Sequence, residues 1–301
     1  MDKVIVTGGS GFIGSNLVDR LVEEGYRVVV FDNQSSESND KFYKNESPNV
    51  SYHKVDIADY NFVRPLFDDV KYVFHMAAES RIGPCIENPL LAVRTNVTGT
   101  SVLLQCAREA NVERFVFSST SAIYGLQPAP HTEGLRESCL NPYSSTKYCA
   151  EQMCKVYYKL YGLKTVILRY FNVFGNREPT RGQFAPVTAR FMLQKASGEP
   201  LTVVGDGSQK RDFVHVSDVV QMNILAATKD TDKYGEIYNV GTGKNYTVIE
   251  LAKMISNTIT FLEPRPGEAV ETRADISKTQ STYGWKPKIQ LDVWLKEKLA
   301  E

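Results

Sequence analysis

Tyr143 and Lys147 stand four residues apart in Tyr143-Ser144-Ser145-Thr146-Lys147, downstream of a hydroxyl cluster, Ser118-Ser119-Thr120-Ser121. On a helix, residues at i and i+4 share one face. An ammonium beside a phenol favours the phenolate and lowers its pKa. That would make Tyr143 a proton-transfer group usable near neutral pH. The spacing alone occurs on many helices, where it is only a surface pair. Its weight comes from the elements that would position it.

The N-terminal stretch is the first of these. Val4-Ile5-Val6 reads as a buried strand running into Thr7-Gly8-Gly9-Ser10-Gly11-Phe12-Ile13-Gly14, and Leu17, Val18, Leu21 and Val22 follow at helical spacing. Strand, glycine turn and helix together make a dinucleotide cradle credible. Gly8 permits the tight turn, Gly11 lets backbone approach a pyrophosphate, and Gly14 lets the helix pack on the strand. Phe12 and Ile13 fall in the same turn. The helix N-terminus then offers free N–H groups and partial positive charge to phosphates. A second apolar strand, Val28 to Phe31, ends in Asp32-Asn33. An acid there can bond a ribose 2′-hydroxyl and repel a 2′-phosphate, which favours NAD over NADP.

The chain has 301 residues, 42% hydrophobic and 23% charged, which is globular composition. Lys plus Arg number 35, as do Asp plus Glu, so no basic field argues for nucleic acid or an anionic membrane. No apolar run reaches the ~20 residues of a membrane span. Five cysteines, at 85, 106, 139, 149 and 154, show no metal-ligand spacing and no paired framework. With an N-terminus that enters a strand directly, they suggest a reducing cytosol. Cys149 reads as helix packing.

Strand signals fall near 3–7, 27–31, 50–55, 72–76, 114–118 and 165–169, and helix signals near 11–25, 60–69, 88–110 and 142–161. Such alternation predicts an α/β fold, a Rossmann-like doubly wound parallel sheet. Beyond Asn172 the pattern turns irregular, with strands near 201–204 and 236–240 and helices near 217–228 and 247–256. Residues 1–172 are expected to form the NAD-binding domain. Residues 173–301 are expected to form a smaller mixed α/β substrate lobe that returns segments to the main sheet.

The glycine spacing Gly-x-x-Gly-x-x-Gly with Tyr-x-x-x-Lys downstream resembles the extended short-chain dehydrogenase/reductase family over nearly the whole chain. The resemblance implies a catalytic set of Thr120, Tyr143 and Lys147, with the Thr120 hydroxyl bridging Tyr143 and a substrate oxygen. It puts Asp56, beside Ile57, on the adenine amino group. Ala77, Ala78, Thr95, Ser118 and Tyr170 would line the cofactor, with Phe171 flanking it. Asn96 reads as a helix-bridging amide rather than a cofactor contact, and His215, on an apolar alternation, as a satisfied core histidine.

After Thr120 come Ser121 and Ala122. Sugar-nucleotide 4,6-dehydratases and UDP-glucuronate decarboxylases carry acids at these positions, and Ala122 cannot transfer a proton. The resemblance therefore implies an NAD-dependent epimerase that inverts C4 of a UDP-hexose through a transient 4-keto intermediate. Ala77-Ala78-Glu79-Ser80 departs from this, being closer to the dehydratase form of the loop. The rivals are a dehydratase or decarboxylase activity and a non-catalytic NAD-binding regulator.

Arg211, within Gly205-Asp206-Gly207-Ser208-Gln209-Lys210-Arg211-Asp212-Phe213-Val214-His215-Val216, and Arg265, within Arg265-Pro266-Gly267-Glu268, match diphosphate-binding arginines of the family. Glu268 would meet the uridine ribose, Asn172 a diphosphate or sugar oxygen, and Val204 the uracil. Thr272 falls where the family gates the sugar 2-substituent, and a small residue leaves room for an N-acetyl group. Helices 88–110 and 142–161 carry more apolar surface than one sheet face needs. The family pairs such helices in an intersubunit four-helix bundle, so a homodimer is expected. The partner is a UDP-sugar; neither nucleic acid nor metal is.

Overall fold

The computed structural model describes residues 1–36, 39, 41–181, 185–264 and 269–301. Seven parallel strands make the central sheet: β1 (Lys3–Thr7), β2 (Arg27–Phe31), β3 (Val50–His53), β4 (Val70–His75), β5 (Arg114–Thr120), β6 (Thr165–Tyr170) and, later in the chain, β10 (Glu236–Val240). They lie in the order β10-β6-β5-β4-β1-β2-β3. The chain reverses its direction of growth between β1 and β4, which opens a crevice at the carboxyl ends of those strands. The expected doubly wound sheet is present, and its strands are near-continuous apolar runs because both faces are covered.

Alternation along β1 assigns the two faces. Val4 and Val6 pack with Leu17, Val18 and Leu21 of α1 (Phe12–Glu23). Ile5 points to the opposite core, with Leu103, Leu104, Ala150 and Cys154. Between β3 and β4 run α2 (Tyr60–Val63) and a 3₁₀ turn, Arg64–Phe67. The expected helix over 60–69 is divided because Pro65 lacks the N–H an α-helix needs.

After β4 come α3 (Ile82–Glu87), α4 (Pro89–Ala92), a π-helical segment Val93–Gly99 and α5 (Thr100–Glu109). The expected helix over 88–110 is thus continuous but wound wide in its middle. There Asn96 accepts from the Glu79 amide (2.9 Å) and donates to the Glu79 carbonyl and Thr146 Oγ1, each at 3.0 Å. It is the helix-bridging amide its sequence context predicts.

Helix α6 (Pro142–Tyr161) matches expectation to the residue. Asn141 caps it by accepting from the Ser144 amide, Pro142 occupies its first turn, and Gly162 ends it at φ 72°. Glu151, fully buried, accepts from Ser119 Oγ of β5 (2.5 Å) and from Arg169 Nε and Nη2 of β6 (2.8 and 2.7 Å). Cys149, expected in packing, is instead exposed on α6.

The C-terminal part adds two small sheets. One orders β11 (Asn245–Thr247), β9 (Lys210–His215) and β7 (Asn172–Phe174); the other pairs β8 (Leu201–Val204) with β12 (Ile259–Leu262). Their core includes Phe174, Phe191 of α7 (Val187–Ala196), Phe213, Leu251 of α9 (Val248–Ile255), and Leu291 and Leu295 of α11 (Leu291–Ala300). Helix α8 (Val216–Thr228) returns to the main sheet's α1 face, and α10 (Ser277–Tyr283) flanks β10. His215 caps α8 through Nδ1, while its buried Nε2 finds no partner among the described residues, so it is core but only half satisfied. No helix among the described residues is long and apolar enough to cross a membrane.

Truncating Glu151 to Ala strands the Arg169 guanidinium in the core. Breaking a buried pair costs about 3–5 kcal/mol. Urea unfolding of the variant is expected to show a loss of that size, and Glu151→Gln, which keeps one acceptor, a smaller one.

Candidate active site

One cleft of about 850 Å³ opens at the carboxyl ends of β1, β4 and β5. Every described residue read from the sequence as contacting cofactor or substrate lines it. Arg265 and Glu268 lie outside the described residues.

At one end is the glycine turn. Gly8 sits at φ +67°, and a Cβ there would stand 2.8 Å from the Ala77 amide nitrogen. A Cβ on Gly14 would meet the Gly8 carbonyl oxygen at 2.2 Å. Both are held glycine by the turn's packing on itself and on β4. Gly11 is the N-cap of α1 without a side-chain cap, so first-turn N–H groups remain for an anion. His75 props the wall from behind. Its Nδ1 and Nε2 bond Thr7 Oγ1 and Thr100 Oγ1, each at 2.8 Å, and the Ala77 amide donates to Thr7 Oγ1. Burial keeps that imidazole neutral, its pKa well below the usual range. Asp32 ends β2 and accepts from the Ser10 and Gln34 amides (3.0 and 2.8 Å). Asp56 also faces the cleft, but its carboxylate holds Arg94 at 2.8 Å. The Tyr170 ring lines the cleft while its hydroxyl turns to Asn223 Oδ1 (2.8 Å).

In the middle, β5 delivers Thr120 and α6 delivers Tyr143 and Lys147. Thr120 Oγ1 accepts from the Ala122 amide (3.1 Å) and hydrogen-bonds the Tyr143 hydroxyl. The electrostatics differ from the sequence expectation. Burial pushes the Tyr143 phenol up, against the downward pull of the Thr120 hydrogen bond and the Arg81 charge. Lys147 is buried, with Nζ 4.3 Å from the Phe117 ring centroid, and burial pushes its pKa down to about 8.

At the far end Asn172 Nδ2 donates to the Asp212 carbonyl (3.0 Å) and to Thr272 Oγ1 (3.3 Å), and among the described residues its carbonyl oxygen has no partner. Thr272 is buried and also accepts from the Asp212 amide. Arg211 Nη1 donates to the Lys210 carbonyl (3.0 Å). Val204 lines the same end. Sequence reasoning noted Glu79 only as part of a loop and passed over Arg81, Glu178 and Arg190; all four also line the cleft. Glu79 and Arg81 lie two and four residues after Ala77, so a charged pair leaving a small-residue strand end was the available signal. Glu178 and Arg190 sit in irregular and C-terminal segments, where no periodicity pointed inward.

The NAD dependent epimerase/dehydratase family model matches residues 4–241. The chain belongs to that family. It is 37% identical to a putative UDP-glucose 4-epimerase of Methanocaldococcus jannaschii, over 97% of this chain and 96% of the relative. The crystal structure of a UDP-glucose 4-epimerase from Thermotoga maritima, with UDP-glucose, superposes at TM-score 0.92 with 35% identity, covering 99% of this chain and 97% of that one. A UDP-N-acetylglucosamine 4-epimerase from Methanobrevibacter ruminantium, in complex with UDP-N-acetylmuramic acid, gives 0.92 at 32% identity with the same coverage.

The family cofactor, NAD, fits what the glycine turn offers. An uncapped α1 N-terminus, a backbone open at Gly11 and an acid at the end of β2 suit a pyrophosphate and an unphosphorylated ribose. Gly14→Ala must force α1 off β1. Calorimetric titration of cofactor-stripped protein is expected to show NAD affinity reduced on the order of tenfold or more, a decade being about 1.4 kcal/mol.

Proposed function

We propose that this member of the family is a 4-epimerase of UDP-hexoses, acting on UDP-glucose and UDP-galactose and on the N-acetylated pair. One observation carries the reading. Thr120 and Tyr143 meet at the β5 end of the cleft, while Ala122 puts only a methyl where an elimination would need an acid. Glu79 and Glu178 also line the cleft, on the loop after β4 and the segment after β7 rather than at the β5 end. Relatives named as UDP-glucose and UDP-N-acetylglucosamine 4-epimerases support the same reading.

NAD, when bound, supplies the hydride acceptor and donor and a fixed positive charge. Tyr143 takes the proton of the sugar 4-hydroxyl and later returns it. The Thr120 hydroxyl holds the tyrosine and the substrate oxygen in line. Lys147, charged below about pH 8, adds positive potential behind the site. Asp32, Asn33, Asp56, Ile57 and the Ala77–Ala78 wall hold the adenosine half of NAD. Asn172, Val204, Arg211, Arg265 and Glu268 hold the nucleotide of the substrate, leaving the 4-keto sugar free to present its other face. Residues 1–172 serve as the cofactor domain and residues 173–301 as the substrate lobe, in the cytosol, where five free cysteines stay reduced.

Tyr143→Phe is expected to lower kcat by at least about 100-fold, the lower bound for general acid–base catalysis, with fold and NAD content retained. Thr120→Ala falls less, and Thr120→Ser barely. The assay resolves the 4-epimers formed from UDP-glucose and from UDP-N-acetylglucosamine without added NAD. Full activity in Tyr143→Phe refutes the mechanism, and a 4-keto-6-deoxy or decarboxylated product favours the rival activities.

Thr272 supports the extension to N-acetyl sugars, being a small buried side chain on the cleft wall. Thr272→Tyr overpacks that wall, at about 1–3 kcal/mol, and is expected to depress turnover of the N-acetyl pair selectively. If wild type turns over only the unacetylated pair, the gate is wrong and the epimerase reading stands.

The apolar face expected to pair two subunits is open in one chain: Leu90 is 80% and Leu160 64% exposed, with Leu91, Val93, Val156 and Tyr161 beside them. Two copies of α4 through α6 would bury it. Light scattering at micromolar concentration is expected to give twice 33.8 kDa; a monomer excludes the bundle.

A further inference from the structure

Two segments from distant parts of the chain meet on α1 at Asp19. One is the loop after β2. Its Asn33, Ser35, Ser36 and Asn39 line the cleft, and Asn39 Nδ2 is 3.7 Å from where a Cβ on Gly11 would stand. The other leaves β7 as Asn176-Arg177-Glu178, and its Glu178 lines the same cleft. Asp19 holds both. Its Oδ1 accepts from Asn45 Nδ2 at 2.7 Å, and its Oδ2 pairs with Arg177 Nη2 at 2.6 Å. The Arg177 guanidinium also lies over the Tyr43 ring, 5.0 Å from its centroid. Tyr43 donates its amide to the Ser10 carbonyl of the glycine turn (2.9 Å), and Asn16 of α1 donates to the Asn176 carbonyl (3.2 Å).

The backbone of Arg177 is in the left-handed region, at φ 71°. Glycine adopts that conformation freely, and a residue with a Cβ only at a cost. Such a residue persists where its surroundings hold it, and here the side chain is held on two sides, by Asp19 and Tyr43. Neither Arg177 nor Asp19 lines the cleft, so their contacts act on the loop and not on a ligand.

We propose that Arg177 is a positioning residue for the cofactor: clasped to Asp19 and Tyr43, it fastens the loop over the glycine turn to the chain entering the C-terminal lobe and slows the release of NAD. The inference rests on NAD occupying the glycine turn, and not on which sugar reaction follows. Asn39 stands over Gly11, so a dinucleotide on the turn lies beneath this loop and leaves when the loop lifts. Lifting it pulls Tyr43 and Asn45 away from Arg177 and Asp19. The side chains of the ion pair are 30% and 31% exposed, open enough for dissolved salt to screen them.

The test loads the protein with radiolabelled NAD and chases with excess unlabelled NAD. Arg177→Gly removes the guanidinium and suits the backbone, so the fold is retained. At low salt its label is expected to leave on the order of tenfold faster, the combined worth of one exposed ion pair and one cation–π contact. Asp19→Asn keeps an acceptor for Asn45 and should release label about threefold faster, the worth of the exposed pair alone. Raising the salt to about 1 M should bring wild-type release toward the Arg177→Gly rate while moving the variant little. With NAD saturating, kcat of Arg177→Gly should match wild type.

Wild-type release from Arg177→Gly at low salt overturns the proposal. So does a fall in its kcat at saturating NAD with release unmoved, which would make the segment a support for Glu178 instead. If Arg177→Gly fails to fold, Asp19→Asn and the salt dependence of wild type decide, and release insensitive to both overturns it. A protein that holds NAD but epimerises no UDP-hexose would refute the proposed activity and leave the clasp standing, because the chase reads the cofactor alone.

Discussion

The site depends on how one helix is fastened to one sheet. Glu151, two turns along α6 from Tyr143, accepts hydrogen bonds from β5 through Ser119 and from β6 through Arg169. Ser119 is the neighbour of Thr120, so the bond that locks α6 in rotation also sets its distance from the strand end carrying the Tyr143 partner. A buried charge pair is a poor source of net stability, because desolvation offsets most of the Coulomb gain. What it provides is a single register. An apolar contact at residue 151 would tolerate sliding of α6, whereas a forked guanidinium against a carboxylate does not. The Arg169 guanidinium also stacks on Tyr124 (4.6 Å), whose hydroxyl donates to Asn239 on β10. The fastening therefore extends from the helix through the sheet to the strand contributed by the C-terminal half.

Burial sets the electrostatics of the cleft. It raises Tyr143 and Asp32, lowers Lys147, and keeps His75 neutral between two threonines. Each shift goes against the charged form, as it must where water is excluded. Such a site works only when opposite charges are placed to restore the ionised states that chemistry needs. The Asp32 carboxylate has two backbone amides, and the phenol has Thr120 and Arg81. A bound cationic cofactor would add to the same balance.

The parallel sheet was legible because its signals are local and strong. Val4-Ile5-Val6 and Val28-Val29-Val30-Phe31 are strands buried on both faces, and the helix over 142–161 carries its own cap at Asn141 and its own stop at Gly162. The glycine turn was legible because steric exclusion leaves no other residue at Gly8 and Gly14. The C-terminal half was read less well. Strands β7, β9, β11 and β12 are three to six residues long and pair across the chain rather than with neighbours, so no periodicity marked them. Helices α3, α7, α10 and α11 were missed for related reasons, being short or interrupted by polar residues that face the cleft or solvent. Pro65 divided one expected helix, and the wide turn at Asn96 is imposed by Glu79 and Thr146, contacts no local pattern reveals.

The Tyr–Lys pair shows where motif reasoning is strong and where it stops. Helical spacing correctly put both side chains on the sheet-facing side of α6 and inside one cleft. It could not fix where a four-carbon stem would carry the ammonium. In the structure the lysine ammonium lies against the Phe117 ring of β5, the strand that Glu151 ties to α6. A second cation, Arg81, lines the same cleft from the N-cap of α3. Motif spacing fixes which groups enter a site. The packing that holds the elements fixes how they meet, and here the strand that Glu151 ties to α6 presents Thr120 to Tyr143 and the Phe117 ring to Lys147.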